Sequence, residues 1–293
     1  MLTQFFGNYL LQKNIINSGQ LMKALEHKKN SSNKLGSLAV NAGYMTETEI
    51  EDVHSMQTRL DKRFAELAIQ LGYLTSQQAE ELLKMQKFGY VMLGNSVITL
   101  GFADEATVND AISSYEKDFN LDPTNILSAG QEIIEQMVSK FYGLGDTTKE
   151  TYIRDYATLL IKNIIRFIGS DCSLLSSTNI LPDIVNPTTS YQKITGAFAS
   201  ATCICADADT FAEFAARYAG QEFENDKDFI NASVSDFLNL HNGLFTVNTS
   251  NAYNVDLELK PPYEEDELPE TTDKSYIIPI QFTFGVVYFI FTV

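Results

Sequence analysis

The first 118 residues repeat one pattern of apolar and polar positions with a period of 29 residues. The equivalent small residues of the four units are Gly7, Gly36, Ala65 and Gly94. In each unit a short apolar helix ends near a glycine or asparagine, which suits a left-handed C-cap. A second helix then begins at a capping signal, as at Thr46 with Glu49 and at Thr75 with Gln78. The pattern predicts four helical hairpins over residues 1–118.

The second half of the chain has a different pattern. Apolar residues recur at helical spacing from Tyr152 to Gly169, and the run from Lys193 to Ala208 alternates as strands do. Next comes a helix for which Asp209 or Thr210 is the expected N-cap. It is followed by a helix that contains SVSDFLNLHNG and by two strand-like runs, SYIIPIQFTF and VVYFIFTV.

This order of elements is helix, strands, helix, helix, strands. It predicts an α+β domain over residues 148–293, with long helices packed on a mainly antiparallel sheet. Residues 119–147 contain one helical segment fenced by Pro123 and Gly143, so they are predicted to form a connecting helix and linker between the two halves.

Composition narrows the function classes. The 293 residues have a formal net charge of −17, which argues against sequence-independent binding to nucleic acid or to an anionic membrane surface. The apolar C-terminal stretch is interrupted by Pro279, Gln281, Thr283 and Gly285, so strands are expected there rather than a membrane span. Three cysteines are too few for a disulfide framework, and the N-terminus lacks the features of a signal peptide. We therefore expect a cytoplasmic protein.

The chemistry-bearing motif is a carboxylate and a carboxamide one helical turn apart. Asp236 and Asn239 are three positions apart and so share a face of their helix, which apolar neighbours anchor. These neighbours are Val234, Phe237, Leu238 and Leu240. A solvated face of an amphipathic helix is the alternative interpretation of the pair alone. His241, two positions after Asn239, is expected to point away from this face.

The surroundings of this pair resemble the CheC/CheX/FliY family of chemotaxis phosphatases. The family pattern places a Glu and an Asn three positions apart on a long helix, a Gly four residues after the Asn, and a Pro after a gap of 22 residues. Asn239, Gly243 and Pro262 fall in register, since positions 240 to 261 supply the 22 residues. The chain departs from the pattern at Asp236, where the family has Glu, and at Ala232, where it has Asp or Ser.

The resemblance implies a function and a role for each residue. The substrate would be the aspartyl phosphate of a response-regulator receiver domain, which itself supplies the Mg²⁺, so no cofactor of the protein's own is expected. Asn239 would orient the attacking water, Asp236 would anchor the receiver's lysine, and Gly243 and Pro262 would be structural. Because Asp is shorter than Glu, a receiver-binding adaptor of the same fold without turnover is the alternative. The sequence leaves the oligomeric state open, although domains of this type often pair through an edge strand or a helix face to form a homodimer.

The second and third repeat units resemble the tandem motifs of the MshE-type N-terminal domain of type II secretion ATPases, some of which bind cyclic di-GMP. The residues that would contact the nucleotide are Lys34, Gly36, Gln57, Arg63 and Gln86. Lys34 stands where the motif has Arg, and an ammonium cannot reproduce the bidentate contact of a guanidinium. In the alternative interpretation these positions are caps and close-packing sites, and the repeats form a scaffold that docks a protein partner.

Overall fold

The computed structural model describes residues 2–30, 35–60, 64–85, 89–121, 130–177, 180–221, 226–264, 268 and 275–292, with the backbone alone at 30, 37, 41, 57–60, 84, 85, 130 and 131. The predicted α+β class is confirmed, because helices pack against a six-stranded antiparallel sheet. None of the described helices is long and apolar enough to cross a membrane.

All described secondary-structure elements of the first half are helices. They are α1 (Leu2–Gln12), α2 (Ser18–Asn30), α3 (Leu35–Asn41), α4 (Glu47–Leu60), α5 (Phe64–Gln70), α6 (Ser76–Met85), α7 (Gly89–Thr99) and α8 (Glu105–Asp118). Each consecutive pair is one repeat unit. The predicted left-handed caps after the first helix of each unit are confirmed, with φ of 54°, 69°, 79° and 69° at Asn14, Gly43, Gly72 and Gly101.

The predicted capping boxes of the second and third units are also present. The backbone N–H of Thr46 donates to Glu49 over 2.7 Å, and that of Glu49 donates back to the Thr46 hydroxyl over 3.4 Å. Thr75 and Gln78 make the same reciprocal pair at 2.9 and 3.2 Å. These bonds satisfy backbone donors that a helix N-terminus otherwise leaves without partners.

The four units pair in a nested arrangement, with unit 1 on unit 4 and unit 2 on unit 3. Tyr44 of unit 2 donates to Glu81 of unit 3 over 2.8 Å, and Tyr73 of unit 3 donates to Asp52 of unit 2 over 2.6 Å. The two tyrosines are one 29-residue period apart, as are the two acids. This reciprocal exchange is the signature of a local twofold axis between units 2 and 3.

Close packing explains three of the four equivalent small residues. A Cβ added at Gly36 would lie 3.1 Å from Ile50 Cγ2, and one at Gly94 would lie 2.9 Å from Ile112 Cδ1, in each case on the second helix of the same unit. At Gly7 an added Cβ would overlap the hydroxyl of Ser173, which belongs to the second half of the chain.

Helices and strands alternate in the second half. The helices are α9 (Gly130–Tyr142), α10 (Thr148–Asn163), which continues into a π-helical turn (Ile164–Ile168), α11 (Ala208–Ala219) and α12 (Lys227–Tyr253). The strands are β1 (Cys172–Leu174), β2 (Pro187–Gly196), β3 (Ser200–Asp207), β4 (Leu257–Leu259), β5 (Ser275–Phe282) and β6 (Gly285–Thr292). They form one antiparallel sheet in the order β1-β5-β6-β3-β2-β4.

The N-cap of α11 differs from the expected Asp209 or Thr210. It is Asp207, whose carboxylate accepts from the backbone N–H of Thr210 over 3.0 Å and from the Thr210 hydroxyl over 2.7 Å. The last residue of β3 therefore caps the next helix directly, and the chain passes from strand to helix without a loop.

Alternate residues of the strands face two different hydrophobic clusters. Ile204 and Ala206 face the main core, which α10, α11 and α12 share, whereas Cys203 and Cys205 face a smaller cluster that contains Ile277. Because successive side chains point to opposite faces of a strand, the sheet is covered on both sides. Both cysteines are buried in this smaller cluster.

The N-terminal and C-terminal halves share their core. One hydrophobic cluster runs from Phe5 to Phe291 and includes units 1 and 4, whereas units 2 and 3 have a core of their own. Helix α1 packs along β1, where Gln4 Nε2 donates to the Ser170 carbonyl over 2.9 Å and the Ser173 hydroxyl donates to the Gln4 carbonyl over 3.0 Å. The domain boundaries at residues 118 and 148 stay a prediction.

A buried carboxylate links the same halves. Asp171, of which 4% is exposed, accepts from Lys29 over 3.1 Å and from Arg217 over 2.9 Å. Burial alone would raise the pKa of Asp171, but the hydrogen bonds and charge of Arg217, together with the bond from Lys29, outweigh it and lower the pKa. The folded state therefore holds this group ionised.

Candidate functional site

Helix α12 presents the predicted pair to solvent. Asp236 and Asn239 are both exposed, while Val234, Phe237 and Leu238 are buried in the main core. Asp226 caps the N-terminus of this helix by accepting from the backbone N–H of Phe229. The apolar spacing thus fixes which face of α12 is turned outward, and both polar groups lie on it.

The side chain of Asn239 is held from below by a glutamine of the sheet. Asn239 Oδ1 accepts from Gln192 Nε2 over 2.7 Å, and Gln192 is fully buried on β2. Gln192 Nε2 also donates to the backbone carbonyl of Lys260 over 2.8 Å. A carbonyl can only accept, so this bond identifies the nitrogen of Gln192, and its second N–H requires the oxygen of Asn239. The Nδ2 group of Asn239 consequently faces away from the sheet.

Gln192 is itself fixed by a second buried amide. Asn242, one turn after Asn239, donates from Nδ2 to Gln192 Oε1 and to Thr202 Oγ1, each over 2.8 Å. Thr202 in turn donates to the backbone carbonyl of Gln192 over 3.0 Å. The network thus engages both the nitrogen and the oxygen of the Gln192 amide, and it links α12 to β2 and β3.

Pro262 lies in a bulge beside this network. Lys260 N–H donates to the Lys193 carbonyl, and Tyr263 exchanges two backbone bonds with Tyr191, so Pro261 and Pro262 stand opposite Gln192 alone. Two residues opposite one define a β-bulge, a position that tolerates proline, which has no N–H to donate to the ladder. The chain between Asn239 and Pro262 therefore leads from α12 back to β2, the strand whose Gln192 supports Asn239.

Asp236 has one carboxylate oxygen engaged. Tyr218, near the end of α11, donates to Asp236 Oδ2 over 2.9 Å. Partial burial raises the pKa of Tyr218 to about 12, and the hydrogen bond to Asp236 adds to the effect, so the phenol keeps its proton and remains a donor. Within the described ranges no cation forms an ion pair with Asp236. Its exposed carboxylate can take a cation from a partner.

No described residue packs closely enough on Gly243 to require glycine there. Among the described atoms, a Cβ added at Gly243 would meet Leu259 Cδ2 alone, at an ordinary contact distance of 3.9 Å. Gly243 follows Asn239 by four residues on α12, so it leaves the helix surface bare beside the carboxamide. Its structural role stays a prediction, and the geometry shows only that the described residues leave open space there.

His241 points away from this face, as expected. It is fully buried, its Nδ1 lies 3.1 Å from Asn163 Nδ2, and its ring packs against Tyr156 at 4.5 Å between centroids. Burial lowers the pKa of His241 to about 3. The contact with His241 holds the Asn163 side chain in the core.

The cyclic di-GMP prediction rests mostly on residues that the structure does not describe. Lys34, Arg63 and Gln86 lie outside the described residues, as does the side chain of Gln57. Gly36 is described and is a close-packing residue. Nucleotide binding therefore stays a prediction. Among the described residues, no three His, Cys, Asp or Glu side chains are grouped so that they could hold a metal ion.

Gln192 and Tyr218 are the site residues that the sequence did not reveal. One feature of the sequence could have identified Gln192. It is in phase with Ile194 on the face of β2 that meets the core, and a polar residue there needs a buried partner. No feature of the sequence identifies Tyr218, since its contact with Asp236 depends on how α11 lies beside α12.

Comparisons with known proteins find structural matches alone. No family model matches the chain, and no curated protein matches it. A CheX–CheY–BeF₃–Mg complex from Borrelia burgdorferi matches at 14% identity and a TM-score of 0.44, over 48% of this chain and 96% of that one. CheX from Vibrio vulnificus matches at 11% identity and 0.42, over 48% and 98%. FliY from Thermotoga maritima matches at 13% identity and 0.37, over 54% and 89%.

Proposed function

We propose that this protein binds the phosphorylated receiver domain of a response regulator in a signalling pathway of the chemotaxis type and hydrolyses its aspartyl phosphate. The observation that carries the proposal is the exposed carboxamide of Asn239, held in one orientation by Gln192, one turn from the exposed carboxylate of Asp236. The substrate is the one implied by the family pattern, which Asn239, Gly243 and Pro262 match and from which Asp236 departs.

The chemistry asked of Asn239 is modest. An acyl phosphate is already activated, so hydrolysis needs a water placed in line with the phosphorus and little further help. Asn239 Oδ1 accepts one bond from Gln192, and a carbonyl oxygen has a second lone pair that can accept from water. The receiver domain supplies the Mg²⁺, and Asn239 orients the water.

Asp236 serves as the anchor for the receiver's lysine. Tyr218 occupies Oδ2 of Asp236 and leaves the rest of the exposed carboxylate available for an ammonium group. An ion pair formed as the partner docks is shielded from solvent and so contributes more than one on a free surface. It also fixes the register of the receiver relative to Asn239.

A receiver-binding adaptor without turnover is the second candidate. Aspartate is one methylene shorter than glutamate, a difference of about 1.2 to 1.5 Å on ordinary bond lengths. The bond from Tyr218 further ties Asp236 to α11. A misplacement of about 1 Å can cost on the order of 10²-fold in rate. Binding would then persist while hydrolysis falls to the spontaneous rate.

Loss of label from phosphorylated receiver domains separates the two candidates. We expect the protein to accelerate the loss for its cognate receiver in a panel of purified domains, and Asn239→Ala to remove the acceleration. Asn248→Ala, which changes another exposed asparagine of α12, is the matched control and should keep it. Capture of the BeF₃-activated receiver without acceleration supports the adaptor, and equal acceleration by Asn239→Ala refutes the role of Asn239.

A further inference from the structure

We propose that Gln192 is the positioning residue of this site, and that it sets which atoms of Asn239 face the receiver. The inference rests on the proposed function and deepens it. Gln192 lies beneath Asn239 and is fully buried, so it acts through the carboxamide and not on the substrate.

The bulge at Pro261 and Pro262 determines the orientation of the Gln192 side-chain amide. In a regular ladder a backbone carbonyl pairs with a backbone N–H of the neighbouring strand. At Pro261 and Pro262 the ladder is interrupted opposite Gln192, and the Lys260 carbonyl accepts from the Gln192 side chain instead. The nitrogen of Gln192 must face this carbonyl, so its other N–H meets Asn239 Oδ1.

The oxygen of the Gln192 amide is fixed as well, which further restricts the orientation of the side chain. Gln192 Oε1 accepts from Asn242 Nδ2, which also donates to Thr202. Rotation of the Gln192 amide by half a turn would place oxygen against the Lys260 carbonyl and nitrogen against the Asn242 amide nitrogen. Both new contacts would be repulsive in a buried site, and each would leave buried polar groups without a hydrogen bond. One amide orientation is therefore strongly favoured.

The bond from Gln192 to Asn239 passes this fixed orientation to the exposed surface. An exposed asparagine ordinarily samples several rotamers, and ordering it during the reaction would cost free energy. The 2.7 Å bond from Gln192 orders Asn239 before the receiver arrives and turns its two Nδ2 donors outward. Outward donors suit the phosphoryl oxygens and the lone pairs of the attacking water, while the second lone pair of Oδ1 receives a water proton.

Gln192→Glu is the most discriminating variant. The carboxylate keeps the acceptor for Asn242 but has no donor, so it repels the Lys260 carbonyl and Asn239 Oδ1 and favours the flipped Asn239. We expect kcat to fall about 10- to 100-fold, with the affinity for the BeF₃-activated receiver within about twofold of the unchanged protein. Protonation restores one donor, so the variant's rate should rise as the pH is lowered.

Gln281→Glu is the matched control. Gln281 is a buried glutamine of β5 whose Nε2 donates to the backbone carbonyls of Phe282 and Gly285, with no link to Asn239. It should lose comparable stability, keep kcat and show no rise in rate at lower pH. If Gln281→Glu lowers kcat as much as Gln192→Glu does, general destabilisation explains both and the positioning role is refuted.

A readout without substrate separates this inference from the proposed function. The Asn239 side-chain NH₂ resonances, assigned by their loss in Asn239→Ala, should shift in Gln192→Glu and in Gln192→Met and stay in place in Gln281→Glu. Shifted resonances in a protein that hydrolyses no receiver phosphate uphold the positioning of Asn239 and refute the hydrolysis. Unchanged resonances in both folded Gln192 variants refute the positioning, whatever the activity.

Discussion

Acidification should destabilise the protein through His241. Its pKa is near 6.5 in an unfolded chain and about 3 in the folded state, because burial disfavours the charged imidazolium. As the pH falls below 6.5, the unfolded chain takes up a proton that the folded chain refuses. The contribution is fully present above pH 6.5 and declines toward pH 3.

The size of the effect follows from the two pKa values. Between pH 7.5 and pH 5, linkage predicts that His241 alone lowers the free energy of unfolding by about 2 kcal/mol. The lowered pKa of Asp171 acts in the same direction, but only below the ordinary value of 3.8, outside this interval. The change in stability between pH 7.5 and pH 5 therefore reports His241 without a contribution from Asp171.

Urea unfolding at several pH values between 7.5 and 5 measures this loss. The chain has no tryptophan, so near-ultraviolet circular dichroism of its 14 tyrosines reports the core. His241→Gln should be less stable at pH 7.5 but should lose most of the pH dependence. The exposed His54→Gln should keep it. A wild-type stability that is flat over the interval, or an equal slope in His241→Gln, would refute the burial argument.

Three further predictions can be tested directly, the last of them by comparing two substitutions. Asp236→Glu should raise the rate of receiver dephosphorylation about tenfold or more if reach limits turnover, and unchanged initial rates would rule out that explanation. Gly243→Ala should raise the unfolding free energy by about 0.5 to 1 kcal/mol, since its Cβ meets only an ordinary contact, yet weaken capture of the receiver; stronger capture would contradict the idea that the partner uses this space. Arg217→Ala should cost about 3 to 5 kcal/mol in urea unfolding because it strips the main partner from buried Asp171, whereas Lys29→Ala, at a half-exposed ammonium, should cost about 1 kcal/mol or less; similar losses would mean that the buried carboxylate does not depend on Arg217.

Local signals in the sequence predicted local structure well. The caps at Gly43 and Gly72 and the boxes at Thr46 and Thr75 are confirmed, because each depends on hydrogen bonds within a few residues. The exposure of Asn239 follows in the same way from the apolar positions around it. These features need no information from elsewhere in the chain.

Long-range features could not be predicted in this way. The nested pairing of the units depends on which helix faces fit together, and each unit has much the same pattern. The role of Gln192 depends on a bulge that Pro261 and Pro262 form about 70 residues later in the chain. The missed N-cap at Asp207 has a smaller cause, since Asp207, Asp209 and Thr210 are all N-cap residue types within four positions and the end of β3 determines which of them caps the helix.

The shared core also bears on how the chain is organised. Units 1 and 4 contribute to the same hydrophobic cluster as the sheet, so a cut at residue 118 or 148 would expose apolar surface. Units 2 and 3, with a core of their own, are the part of the repeat that has the least structural tie to the candidate site. The full chain is therefore the proper material for every assay above.

The decay of aspartyl phosphate on a cognate receiver domain under single-turnover conditions tests hydrolysis and the role of Asn239 together. We expect faster decay with the full chain, decay at the spontaneous rate with Asn239→Ala, and undiminished acceleration with Asn248→Ala. Equal acceleration by the wild type and Asn239→Ala would contradict the assignment of Asn239 as the residue that orients the water.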